Sequence, residues 1–251
     1  MKIPFGYARY QLRDSVIQRL SLPLILIAFF SVLPVYMMTK TSPAGFMGTA
    51  PGVNFAKQLY TQSVTLFLPM GAFLCAVGVP SADRQHGYFR FFFSKPVNLL
   101  AYYGQAYLVA GVAFVAMFGL ITWGFGAMTL HFSVHRGMEA AALTYVLIGG
   151  VGLLLGALTR FDGITFIAVY VAALLLQQLK AAPNGLPNGG LPGWLAMVGT
   201  ALPPVVKLDL LRNQLYAAQP LDASQLWYVL GYGAGAWVLG MVLLRIRPLA
   251  R

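Results

Sequence analysis

Residues 102–128 read YYGQAYLVAGVAFVAMFGLITWGFGAM, without one charged side chain. As an α-helix this stretch is about 40 Å long, and a bilayer's hydrocarbon core is about 30 Å thick. A soluble domain would need a polar skin over such a run, and the rest of the chain does not supply one. Of 251 residues, 59% are hydrophobic and 9% charged, and the mean hydropathy is +0.72. An ordinary soluble domain is about 25% charged. Within lipid the backbone has to satisfy its own hydrogen bonds, so the run reads as helix. The ten-residue alternation of a membrane barrel is not visible.

Working outward, similar runs occur at 21–39, 59–79, 139–159, 164–180 and 226–244. The expectation is therefore a single all-α membrane domain, 1–251, with six transmembrane helices. The stretch 190–206 is apolar but broken by Pro192 and by Pro203-Pro204. It reads as an interfacial or re-entrant piece. The first run is too long for a signal-peptide core and is followed by no small-x-small cleavage pattern, so it reads as a retained helix. Pro23, Pro34 and Pro69 mark expected kinks. Cys75 stands alone, which excludes an intrachain disulfide and a cysteine metal site.

The formal net charge of +11 has its explanation in membrane orientation rather than in nucleic acid. With the N-terminus in the cytoplasm, Lys2, Arg9, Arg13, Arg19, Arg84, Arg90, Lys95, Arg160, Arg245, Arg247 and Arg251 fall inside. Lys40, Lys57, Arg136, Lys180, Lys207 and Arg212 fall outside. The excess puts both termini inside, in agreement with an even number of spans.

Residues 1–20 precede the first span. Tyr10, Leu12, Val16, Ile17 and Leu20 can share one face, with Arg9, Arg13 and Arg19 at its edges, the pattern of an amphipathic helix lying in the membrane interface. The loop 80–101, PSADRQHGYFRFFFSKPVNLLA, is too charged for lipid and too aromatic for a solvated connector. It suits either a partner surface or an aromatic belt at the headgroups, and Pro96 closes it. Arg160 to Gly163 form a tight turn between the fourth and fifth spans. The segment 181–225 is a long extracytoplasmic connection rich in Pro and Gly. Gly152 and Gly156 in the fourth span, and Gly231 and Gly235 in the last, stand at small-xxx-small spacing. They are helix-packing candidates, inside a subunit or between subunits.

Catalytic signatures are missing. The chain has no phosphate-binding G-x-x-x-x-G-K-[ST] loop, no H-E-x-x-H and no G-x-S-x-G. The span interiors hold almost no ionisable groups, which argues against an ion-coupled carrier. Gln177 and Gln178 are too little for a pore. His131, His135 and Glu139 are spaced like a weak metal set, but Gly137 interrupts them at an outer turn. Surface residues at a helix end are the better reading.

At 80–101 the sequence resembles the ABC transporter type-2 permease family. Asp83, Gly87, the aromatic stretch 88–93 and Ser94-Lys95-Pro96-Val97 stand where members carry an acid, a glycine, an apolar run and a Ser-Lys-Pro-Val-like pattern. Tyr102 or Tyr103 follows. The chain departs from the family at Asn98-Leu99, at Gly104-Gln105 and in its heavy Phe91-Phe92-Phe93. The resemblance implies a coupling helix that docks on a separate ABC-class ATPase subunit, with Asp83, Arg84, Gly87, Tyr88, Phe89, Arg90, Phe92 and Lys95 as the docking surface. It implies a membrane permease subunit, not itself an enzyme, of an ATP-driven exporter in a bacterial inner membrane. The subunit would be paired with a second copy or a related permease. ATP and Mg would sit on the ATPase, and this chain would bind no cofactor. The apolar spans lean towards an amphipathic or lipid-like cargo. A non-transporting scaffold that transmits ATPase-driven motion is the alternative.

Overall fold

The computed structural model describes residues 12–13, 21–41, 50–86, 99–129, 133–159, 162–181 and 193–246. These form helices joined by turns, with no strand among them. Helix α1, Ser21–Ile27, passes through a π-helical turn, Ala28–Val32, into α2, Leu33–Thr41. The wide turn falls just before Pro34, which offers no N–H and whose ring crowds the carbonyl one turn back, at Phe30. Helix α3, Ala50–His86, runs unbroken through Pro69, and α4 spans Leu99–Thr129. Next come α5, Val134–Thr144, a second π-helical turn, Tyr145–Gly149, and α6, Gly150–Leu158. Helix α7 is Asp162–Ala181, α8 Gly193–Ala201, α9 Val205–Tyr216 and α10 Ala223–Ile246.

Four helical stretches are long and apolar enough to cross a membrane: Asn54–Val77, Leu100–Ala127, Val134–Leu158 and Ala223–Ile246. They mark the chain as a membrane protein. The apolar stretches of α1–α2, Ser21–Met37, and of α7, Gly163–Leu179, are shorter. The segment α5–α6 is the central element, 72% buried within the chain, while α10 is peripheral at 33%. Helix α3 lays Ala56, Tyr60, Val64, Leu68, Ala72 and Ala76 against its neighbours and turns Phe55, Leu66 and Met70 outward. That is a 3.6-residue face on a helix that is apolar almost all round.

Small residues set how closely α5–α6 is embraced. The Tyr145 ring lies directly on Gly111 of α4, where an added Cβ would sit 2.6 Å from ring carbon Cε1. The two elements then exchange hydrogen bonds. The Tyr145 hydroxyl donates to the Tyr107 carbonyl at 2.7 Å, and the Tyr107 hydroxyl donates to the Tyr145 carbonyl at 3.3 Å. The Tyr145 carbonyl belongs to the π turn, where altered backbone bonding leaves acceptors for side chains. Thr122 of α4 donates to the Phe118 carbonyl at 2.9 Å, so Tyr60 of α3 is the donor in its 2.7 Å bond to the Thr122 hydroxyl.

On the other side α6 and α10 touch backbone to backbone. A Cβ on Gly150 would run into the Gly233 carbonyl, and one on Gly233 into the Val146 carbonyl. Further along, Gly240 sits against the backbone of Leu153 and Leu154. Close approach of this kind brings long runs of atoms into van der Waals contact, the main attraction between helices where lipid is as apolar as the side chains.

The 181–225 connection, expected as a Pro- and Gly-rich loop, carries two helices. Helix α8 ends at Pro203-Pro204, which have no N–H to continue it. Helix α9 turns Val205, Leu208, Leu211 and Leu215 inward. Its C-terminus closes with Ala218 in the left-handed region at φ 62°. There Gln219 N–H donates to the Gln214 carbonyl at 2.9 Å and Ala218 N–H to the Leu215 carbonyl at 3.3 Å. Glycine normally fills this position because a Cβ is strained there. Ala218→Gly should therefore stabilise the protein, by roughly 1 kcal/mol, raising its unfolding midpoint in detergent.

Asp222 starts α10. Its carbonyl accepts from Leu226 N–H, and its carboxylate accepts from Ser224 Oγ at 2.7 Å and from the backbone N–H of Ser224 and Gln225. These bonds, the Ser224 hydroxyl foremost, hold its carboxyl below the usual range. Its own N–H donates to Gln214 of α9 at 3.3 Å, which ties the two helices at the turn.

Candidate functional site

The expected docking surface is reached only at its edge. Asp83 and Arg84 lie in the closing turns of α3, beyond the apolar stretch that ends at Val77. Gly87, Tyr88, Phe89, Arg90, Phe92 and Lys95 lie outside the described residues, as does the expected interfacial helix apart from Leu12 and Arg13, both exposed.

The four packing glycines separate by face. Gly152 and Gly156 are buried, Gly152 against Phe73, Ala76 and Val77 of α3. Gly231 and Gly235 point away from the bundle, and nothing among the described residues lies within 4 Å of a Cβ built on either. Inside this chain the close-contact glycines of α10 are Gly233 and Gly240, one helical face round from the expected pair.

His131 lies outside the described residues. His135 and Glu139 bind one another, Nε2 to Oε1 at 3.0 Å, on the exposed side of α5. Contrary to the expectation from the sequence, Gly137 does not interrupt this helix; it is packed against the Thr122 side chain. No group of three metal-ligating side chains occurs among the described residues.

The strongest concentration of buried polarity lies on α9, where Arg212 was expected in an outer loop. Its side chain is 1% exposed. Leu208, Leu211 and Leu215 form the inward stripe of α9, and position 212 falls inside that stripe, one turn beyond 208. Nη2 donates to Asp209 Oδ1, one turn earlier; the Asp209 side chain is 26% exposed. Burial pushes the Asp209 carboxyl up from its ordinary value, and the Arg212 charge pulls it back. Tyr216 also lies within electrostatic reach of Arg212, its phenol pushed up by burial and opposed by that charge. Tyr170 of α7 feels both members of the pair. Among the described residues, Arg212 Nε and Nη1 have no hydrogen-bond acceptor.

Helix α9 is held in this position by side chains of its neighbours. Gln177 of α7 donates through Nε2 to the Pro203 carbonyl at 2.7 Å and accepts Val206 N–H at Oε1, 3.2 Å away. One amide thus serves both the proline stop and the start of α9. Arg136 of α5 reaches the Leu215 carbonyl at 3.5 Å, and Lys207 lies 3.9 Å from the Tyr228 ring centroid of α10. The register of position 212 with Leu208, Leu211 and Leu215 is the signal the sequence offered, and it places Arg212 on one face of a helix without showing that the face is buried. The proline-rich flank of 181–204 hid that helical period.

No family model matches the chain, and no curated protein matches it.

Proposed function

We propose that this chain is the membrane subunit of an ATP-driven ABC exporter, working with a separate ATPase subunit that binds ATP and Mg. The observation that carries the reading is the composition of 80–101 at the end of α3. Helix α3 continues from Val77 to His86, roughly 13 Å past its apolar stretch at 1.5 Å per residue. Its last turns bring Asp83 and Arg84 clear of the hydrocarbon and lead directly into Tyr88, Phe89, Arg90, Phe92 and Lys95. A rigid helix that ends in an aromatic and basic segment suits the transmission of force from a docked partner, the aromatics anchoring and the charges orienting.

In this reading α1–α2 and α7 complete six spans. Both termini face the cytoplasm of a bacterial inner membrane, and residues 1–20 form a helix in the interface. A second permease copy or a related chain completes the transport unit, and Gly231 and Gly235 offer it a smooth helix face. Lipids cover the remaining apolar surface, and an amphipathic cargo moves outward between the bundles.

Affinity capture of the tagged full chain from native membranes in mild detergent tests the docking step. An ABC-class ATPase should be recovered with the wild type, and Phe89→Asp with Phe92→Asp should remove it while the protein stays folded. Recovery of no such ATPase with the wild type would overturn the reading and leave the aromatic segment as a headgroup belt.

A further inference from the structure

Helix α9 carries a charge that the fold keeps from water. Arg212 is 1% exposed, and its one acceptor among the described residues, Asp209, lies on the same helix. A guanidinium carries five N–H donors in a planar fork, and here only Nη2 is engaged among the described residues. The neighbouring polar groups within its electrostatic reach, Tyr170 and Tyr216, are phenols and bring no negative charge at neutral pH. Glu139 is engaged with His135, and Asp222 with the start of α10. A buried pair that leaves donors unfilled is a poor source of stability, because an unmet charged donor loses its hydration without replacement. The same arrangement is well suited to recognition. Guanidinium forks match carboxylate and phosphate oxygens, and their bonds strengthen away from water.

We propose that Arg212 is an oxyanion-binding group, whose Nε and Nη1 take the oxygens of a carboxylate or phosphate admitted beside Asp209. Asp209 is the partly exposed member of the pair, so the ligand approaches from its side. The oxyanion is either the headgroup of an amphiphile whose tail lies along the apolar helices, or a free anion. The inference stands on the buried pair and is independent of any ATPase, so the capture experiment above and the binding experiment below can fail separately.

The test is thermal unfolding of the purified full chain in dodecyl maltoside, with dodecyl phosphate, inorganic phosphate or the cationic dodecyltrimethylammonium added at matched concentrations. Dodecyl phosphate should raise the midpoint of the wild type, the cationic amphiphile should not, and Arg212→Gln should abolish the rise. An equal rise with inorganic phosphate, also lost in Arg212→Gln, supports the oxyanion group and assigns it to a free anion. Absence of any anion-specific rise in the wild type, or its persistence in Arg212→Gln, overturns the proposal. Should Arg212→Gln fail to fold, Asp209→Asn serves. It frees the guanidinium, so the phosphate probes should raise its midpoint further than that of the wild type, and an equal or smaller rise overturns the proposal.

Discussion

Asp209→Asn should destabilise the bundle by about 3–5 kcal/mol, the range found when one partner of a buried ion pair is removed. The reason is the charge left behind. Arg212 is buried, and among the described residues Asp209 is its one hydrogen-bonded partner and its Nε and Nη1 have no acceptor. An amide in place of the carboxylate keeps the shape and still accepts a hydrogen bond, but it removes the negative charge. The double variant, Asp209→Asn with Arg212→Met, should recover most of the loss, because apolar replacements of a buried pair are often neutral or stabilising. Unfolding in detergent, followed by circular dichroism, compares the three proteins. A single variant as stable as the wild type, or a double variant no better than the single, would mean that the guanidinium is hydrated and not buried.

The second large effect is expected at the crossing of α6 and α10. Gly233→Ala places a methyl group into the Val146 carbonyl, 2.8 Å from the Val146 carbonyl carbon and 2.9 Å from Leu147 Cα. These are backbone atoms of the central element and cannot swing aside as a side chain would. Overpacking of this sort is worth about 1–3 kcal/mol, occasionally more. Gly231→Ala and Gly235→Ala, on the open side of the same helix, should be neutral or stabilising by up to about 1 kcal/mol, since alanine is the better helix former. The comparison isolates sterics from propensity. Equal losses at all three positions would place α10 in a different rotation against α6.

The helices themselves were legible because the demand that creates them is local. A run such as 102–128 has no polar side chains to offer water, and its backbone can be satisfied only within the run, so length and composition are enough. All six expected runs are helices, from 21–39 within α1–α2 to 226–244 within α10. The chemistry of 80–101 was legible as composition, while its aromatic core lies outside the described residues.

Two features were not readable in advance, and both depend on which face of a helix meets which neighbour. Spacing alone nominated Gly231 and Gly235, but in an apolar helix every face resembles a packing face. The choice of Gly233 and Gly240 came from how α10 crosses the Val146–Leu154 backbone. Arg212 counted as an outer charge because it belongs to the 181–225 connection, whose first part, 181–204, is rich in proline and glycine. The Gln177 amide, the Pro203-Pro204 stop and the leucine stripe of α9 draw it inward instead. The sequence by itself determined that this chain is a set of apolar helices with almost no charge inside them. Only the tertiary structure decided where the buried charge lies, because a side chain's burial depends on the elements packed around it and not on its own hydropathy.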